Sequence, residues 1–107
     1  MNIQFKKGVL NICVLALLNK RDHYGYELVR EISGQIEISE GAVYPLLRKL
    51  KQEGYVTTYL QESTEGPSRK YYQLTEEGRS NMWALIEEWS DFSQGVNHII
   101  KEGVNHD

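Results

Sequence analysis

A mainly α-helical chain with one small β-hairpin is predicted by three stretches of the sequence. The first, Ser39 to Gly54 (SEGAVYPLLRKLKQEG), puts Val43, Leu46, Leu47 and Leu50 at i, i+3, i+4 and i+7, one stripe of a helix. Arg48, Lys49 and Lys51 fall largely off that stripe, where they point to solvent or to a polyanion. The second stretch follows at once and alternates as a strand does (YVTTYLQ), turns, and returns as RKYYQLT. The third is a long C-terminal run with apolar residues at spacings of three and four. A short helix pair, a basic third helix and a hairpin with a basic return strand make a winged helix-turn-helix over residues 1–75, with one further helix over 76–107.

Bulk properties narrow the field. A chain of 107 residues holds one compact domain plus an appended element, and 40% apolar residues are ample for a core. The net charge of −3 hides a segregation: residues 1–75 carry ten Lys/Arg against eight Asp/Glu, residues 76–107 two against seven. Binding to a polyanion depends on the charge at the contact face, not on the mean. A single cysteine excludes an intrachain disulfide and gives no sign of an oxidising compartment. The N-terminal apolar run is short and no cleavage pattern follows it; nothing approaches the ~20 apolar residues of a membrane span. The expected location is cytoplasmic, with no membrane partner.

The elements follow in order. Residues 5–19 form a helix whose Val9, Leu10, Ile12, Val14, Leu15, Leu17 and Leu18 cover more than one face, so two partners should sandwich it. Asn19 to Asp22 is a polar break. Tyr24 to about Ile36 is a second helix with Tyr24, Leu28, Val29, Ile32 and Ile36 on its buried side, fraying over residues 34–37. Ser39 is placed to cap the third helix through its hydroxyl, and Gly54 to end it in a left-handed conformation. Pro45 cannot bond to the Gly41 carbonyl, so the pattern starts the regular helix near Val43 or Tyr44 and leaves Ser39–Ala42 as a capped turn. Tyr55 to Gln61 is a strand with Val56, Thr58 and Leu60 on one face and Tyr55, Thr57 and Tyr59 on the other. Glu62 to Ser68 reads as the hairpin loop and Arg69 to Leu74 as the second strand. Thr75 caps the last helix, with Glu76 and Glu77 in its first turn complementing the helix dipole.

That last helix carries a seam of Met82, Leu85, Trp89, Phe92, Val96 and Ile99, widened by Ile86 and Ile100. Such a period keeps one stripe facing one partner helix. The reading is a C-terminal dimerisation helix, packing on helix 1 and on the same helix of a second copy. Folding back onto its own domain is the alternative. Gly95 lowers helix propensity mid-way by about 1 kcal/mol and permits a bend or a close crossing.

HYGYEL at 23–28, ISEGAVYPLLRKLKQEGYV at 38–56, GPSRKYYQLTEEG at 66–78, the apolar first helix and the Trp-bearing last helix occur in this order and spacing. Together they resemble the PadR family of bacterial transcriptional regulators, over essentially the whole chain. The chain is similar to the short subfamily with a single C-terminal helix, which includes multidrug-responsive repressors. The resemblance implies a homodimer on double-stranded DNA with a two-fold-related operator, shutting off a nearby efflux or detoxification gene until a small ligand binds. It also implies roles for particular residues. Ser39, Tyr44, Arg48 and Lys49 face the duplex from the third helix, whose N-terminal part would lie nearest the base edges. Gly66, Pro67, Ser68, Arg69 and Lys70 offer the wing to the flanking backbone or minor groove. Arg reads guanine bidentately, while Lys and hydroxyl groups more often position on phosphate. A solvated helix face is the plain reading of Arg48 and Lys49; Tyr44 and Tyr71 are equally readable as core aromatics, and Tyr72 reads as a core aromatic first.

In the multidrug-responsive relatives a tryptophan matching Trp89 lines a central pore where planar aromatic molecules stack. Met82, Leu85, Ile86 and Phe92, with Asn11, Val14 and Leu15 from helix 1, would line it here. A filled hydrophobic contact, with Phe92 and Trp83 taking up the space, has the same periodicity. Cys13, in the apolar first helix, reads as an inert buried thiol. His23, His98 and His106 are scattered, none with a Cys or carboxylate at metal-ligand spacing, and no cofactor is expected. The sequence has no nucleophile motif, phosphate loop or convergent acid–base set, which argues against an enzyme. The alternative to a DNA-binding regulator is a winged-helix protein-interaction module, or a ligand sensor without DNA binding.

Overall fold

A computed structural model describes residues 3–105, with side chains from Gly8 onward. Its elements are α1 (Ile3–Lys20), β1 (His23–Tyr24), α2 (Gly25–Ser33), α3 (Glu40–Gln52), β2 (Val56–Ser63), β3 (Gly66–Leu74) and α4 (Glu76–Val104). This is a winged helix with a long final helix. The apolar girth of α1 is used as its composition requires: α2, α3, β3 and α4 all pack against it. Leu10, Val14, Leu15 and Leu18 enter one core with Leu28, Val29 and Ile32 of α2, Val43, Leu47 and Leu50 of α3, Val56 and Met82.

The sheet has three strands rather than the expected two. His23 and Tyr24, just past the polar break, pair antiparallel with Tyr72 and Tyr71, giving the order β1-β3-β2. A two-residue strand is too short to show a period of two, so the sequence pattern had no means of revealing it. Consequently α2 starts at Gly25, where the Tyr24 N–H donates to Glu27 Oε1 at 3.1 Å and the carboxylate closes the helix start. It also ends early. The N–H groups of Gly34, Gln35 and Ile36 turn back onto the carbonyls of Arg30 and Ile32, and Ile36 lies exposed instead of on the buried side.

Pro45 does not delay α3. The helix begins at Glu40 and carries Pro45 inside it, and the carbonyl left without a donor belongs to exposed Gly41, where water can reach it. Ser39 has the extended backbone of a capping residue (φ −93°, ψ 150°), but its hydroxyl makes no capping bond; the Ala42 N–H reaches the Ser39 carbonyl instead. At the other end Gly54 takes φ 82°, which only glycine adopts without strain. There the Gly54 N–H donates to the Lys51 carbonyl and the Tyr55 N–H to the Leu50 carbonyl, the paired bonds of a left-handed helix stop.

The hairpin is tighter than its loop composition suggests. Strands run through Ser63 and from Gly66, with an irregular register between Gln61 and Ser63, so only Thr64 and Glu65 form the turn. Gly66, Pro67 and Ser68 therefore belong to β3, not to a loop. Pro67 is accommodated because the wing is an outlying ribbon. Leu60 keeps the face it shares with buried Val56 but is exposed, since the wing there has run past the body.

Thr75 fastens the end of α3 to the start of α4. Its N–H donates to the Tyr55 carbonyl, its hydroxyl donates to the Gly54 carbonyl at 2.7 Å, and the same oxygen caps α4 by accepting from the Gly78 N–H at 3.0 Å. Gly78 lies so close to Tyr55 that an added methyl group would collide with its carbonyl oxygen and with Leu74. Beyond this joint α4 runs unbroken through Gly95. Its seam divides. Met82 is 2% exposed and Leu85 and Ile86 pack on the core, whereas Ile99 is 70% and Val104 76% exposed. The extents of 63 × 26 × 22 Å show that the helix reaches far beyond the body.

Candidate nucleic-acid interface

The outer side of α3 exposes Ser39, Tyr44, Arg48, Lys49 and Lys51, while Val43, Leu47 and Leu50 hold the opposite side in the core. Lys49 lies 3.9 Å from Glu53 one turn on; among the described residues Arg48 and Lys51 make no ion pair. Tyr44 is exposed and not a core aromatic, and its ring edge lies over Gly25, where a larger residue would displace it. Tyr72 stands between the two readings: half-buried, with its phenol raised above the ordinary value by burial and by Tyr44, against which Arg48 pulls it down. Tyr44, Arg48 and Tyr72 thus share the junction between α3 and the sheet.

Gly66, Pro67, Ser68, Arg69 and Lys70 are all exposed along β3. The pleat sends Arg69 and Lys70 to opposite faces. Lys70 falls on the face of Tyr72, toward α3. Arg69 falls on the other, where its guanidinium lies 4.8 Å from the Tyr24 ring centre. Glu62 and Glu65 are at the acidic tip, so the wing's positive charge is set back from its turn.

A second region lies between α1 and α4. A cleft of about 270 Å³ is lined by Gly8, Val9 and Ile12 from α1 and by Leu85, Glu88, Trp89 and Phe92 from α4. The Trp89 and Phe92 rings stand 6.3 Å apart at 35°. Of the residues expected around Trp89, only Leu85 and Phe92 join it. Val14, Leu15 and Met82 are spent in the chain's own core, and Ile86 packs against that core. Asn11 points elsewhere, into a separate hollow of about 160 Å³ against α3 with Leu10, Ala42, Pro45, Leu46 and Lys49. Val96 and Ile99 lie farther along α4. Val9 and Ile12 were visible as an i, i+3 apolar pair, but a helix apolar on every side gives no indication of which side meets α4. Trp83 is exposed and is not among the described walls of the cleft.

The histidines are expected to have no Cys or carboxylate at metal-ligand spacing, and two of them, His23 and His98, each meet a single carboxylate. His23 is fully buried, with Nε2 2.6 Å from Glu31 Oε2 and Nδ1 2.8 Å from the Arg21 carbonyl. Arg21 in turn pairs with Glu27 at 3.5 Å and Glu31 at 3.6 Å. The cluster binds the start of β1 to α2 and has the character of a structural clasp. The eight-residue separation of His23 and Glu31 hid it. His98 lies 3.2 Å from Glu102, and His106 falls outside the described residues. Among the described residues no three His, Cys, Asp or Glu side chains gather to hold a metal ion, and no helix is long and apolar enough to cross a membrane. Cys13 is half-buried, and burial pushes its thiol above the usual range.

The sequence profile of the PadR-like transcriptional regulator family matches residues 14–84, from mid-α1 to the buried start of α4. The chain belongs to the PadR-like family of transcriptional regulators. Solved PadR-like structures agree along nearly its whole length. A PadR-like transcriptional regulator from Bacillus cereus is 34% identical, covers 92% of this chain and 97% of its own, and superposes with a TM-score of 0.82. A Streptococcus mutans protein of known structure is 36% identical, with 94% of each chain covered and a TM-score of 0.83. The transcriptional regulator YqjI of Escherichia coli is 32% identical over 78 residues, which are 69% of this chain but only 36% of that longer protein. PadR-family regulators bind DNA, and this PadR-like chain carries exposed cations on α3 and on the wing.

Proposed function

We propose that the protein is a homodimeric repressor that holds a two-fold-related operator through α3 and the wing of each copy. The observation that carries this reading is the exposed cationic side of α3, with Arg48 in no ion pair among the described residues, beside a wing bearing Arg69 and Lys70. Arg48 and Lys49 then face the major groove, Ser39 and Tyr44 face it from the earlier part of α3, and Gly66 to Lys70 run along the flanking backbone. The second copy is supported by the distal seam of α4: Val96, Ile99, Ile100 and Val104 line one side of a helix that has left its own body. Pairing along α4 and α1 would set the two α3 helices one helical turn of DNA apart, about 34 Å.

The regulated gene, on this reading, is a nearby one for efflux or detoxification, and a planar aromatic molecule stacking on Trp89 releases the DNA. The apolar cleft at Trp89 and Phe92 supports that step. A protein-interaction role without DNA is the second reading, favoured by the acidic wing tip and the acidic α4. Gel retardation on the gene's own upstream DNA separates the two. The expected result is a specific complex with steep salt dependence. Replacing Arg69 and Lys70 together is expected to flatten the slope of log K against log salt by about 2 if each meets a phosphate. No complex in dilute buffer would leave the second reading standing. Quenching of tryptophan fluorescence by planar aromatics, lost in Trp89→Ala, tests the ligand step, and release of bound DNA by the same compounds joins the two sites.

A further inference from the structure

We propose that Tyr24 is a positioning residue for the wing: it holds Arg69 as a flat, edge-out clamp for one backbone phosphate. The inference rests on the DNA-binding reading above and adds to it a residue outside both α3 and the wing.

Tyr24, Tyr71 and Tyr59 lie on one rung of the sheet, on the face opposite His23, Tyr72 and Thr58. Tyr59 and Tyr71 stack at 5.7 Å and 14°, and Tyr71 meets Tyr24 at 5.6 Å and 57°. The row is tied at its far end. The Tyr59 hydroxyl donates to Asp22 Oδ2 at 2.7 Å, so the residue preceding β1 grips the outermost strand across β3. Gln73 Nε2 reaches the same oxygen at 3.4 Å. A two-stranded ribbon on its own is marginal and free to swing. Here an aromatic row lashes it to β1 and, through β1, to the start of α2.

Arg69 is at the near end of this row, with its guanidinium 4.8 Å from the Tyr24 ring centre. A guanidinium held over a ring engages the ring with its face and keeps its N–H groups at its edge. No carboxylate or carbonyl among the described residues takes them up. Two parallel N–H donors at a fixed spacing match two oxygens of a phosphate, and a guanidinium already held in place loses less freedom on binding. Lys70, one residue on, provides the internal contrast: it faces the other way, and among the described residues no ring lies against its ammonium.

The test measures affinity of the full chain for its upstream DNA across a salt series, with Arg69→Ala, Arg69→Lys, Tyr24→Phe, Tyr24→Leu and the Arg69→Ala/Tyr24→Leu pair. Tyr24→Leu is expected to weaken binding by roughly 3- to 30-fold, the range one cation–π contact spans, and Tyr24→Phe to stay near the parent. Because Tyr24→Leu leaves the charge in place, its salt slope should be unchanged, while Arg69→Ala lowers the slope by about 0.9. The double variant should bind no worse than Arg69→Ala alone. A DNA-free readout accompanies these: the Arg69 Nε–H resonance, shifted by the Tyr24 ring current, should relax in Tyr24→Leu and persist in Tyr24→Phe, with the Val56 and Leu74 amides unmoved. If Tyr24→Leu does not fold, Arg69→Lys decides, since it keeps the charge and loses the planar fork; full affinity in that variant overturns the proposal. Additive losses in the double variant, or a Tyr24→Leu protein binding like the parent while Arg69→Ala binds weakly, overturn this inference alone. A parent protein that ignores the DNA at low salt overturns the DNA reading itself.

Discussion

The two halves of α4 carry apolar residues at the same spacing, yet they live in different surroundings. Met82, Leu85 and Ile86 close the base of the winged-helix body, while Val96, Ile99, Ile100 and Val104 extend the same stripe into solvent. Periodicity reports that a helix face is meant to be covered and is silent about what covers it. In the near half the cover is α1 of the same chain; in the far half none of the described residues buries the stripe. On the homodimer reading proposed above, the body is a unit whose stability should be independent of concentration, and the arm one whose state should depend on it.

The sharpest contrast comes from one truncation in each half. Leu47→Ala, which empties a fully buried site in α3, is expected to lower the unfolding free energy by about 2–5 kcal/mol at any protein concentration, measured by urea titration. Ile99→Asp should leave the unfolding of dilute protein alone and raise the dissociation constant of the pair, seen by sedimentation. A concentration-independent loss in Ile99→Asp would mean that the arm folds onto its own body. Next in size is Gly78→Ala at the joint, where a methyl group would press on the Tyr55 carbonyl; about 1–3 kcal/mol of overpacking should appear in thermal melts. Thr75→Val, which removes the α4 cap and the bond to Gly54, should cost about 0.5–2 kcal/mol. The smallest effect concerns alkaline pH. The hydrogen bond to Asp22, with burial second, raises the Tyr59 phenol above its ordinary 10, so the bonded neutral form favours the fold below pH 10. That contribution disappears as pH rises through the higher folded value. Tyr59→Phe should flatten the loss of stability above pH 10, and an unchanged slope would place the loss at Tyr72.

The sequence made the helices legible where packing and local preference agreed. The α3 stripe, the Gly54 stop, the Thr75 cap and the buried face of α2 were readable because each rests on a few neighbouring residues. What escaped depended on distant partners. Strand β1 exists because Tyr71 and Tyr72 come back to meet it, and the His23–Glu31 contact exists because β1 then lies against α2. Pro45 misled for a related reason: local rules count its missing bond, but not the burial of Val43 and Leu47 that holds the turn in place around it. The exposed cations of α3 and the wing were legible as a group. Their aim was not, because what Arg69 faces depends on Tyr24 of β1 lying beside Tyr71, a pairing the sequence does not reveal.

The joint at Thr75 and Gly78 has a mechanical consequence. From Gly78 to Val104, α4 extends about 39 Å at 1.5 Å per residue, so each degree of tilt at its root sweeps the tip by about 0.7 Å. That root is bonded to Gly54 and Tyr55, the residues whose own N–H groups close the C-terminal stop of α3, so a tilt of α4 loads the end of α3 directly through the hydrogen bonds of the joint.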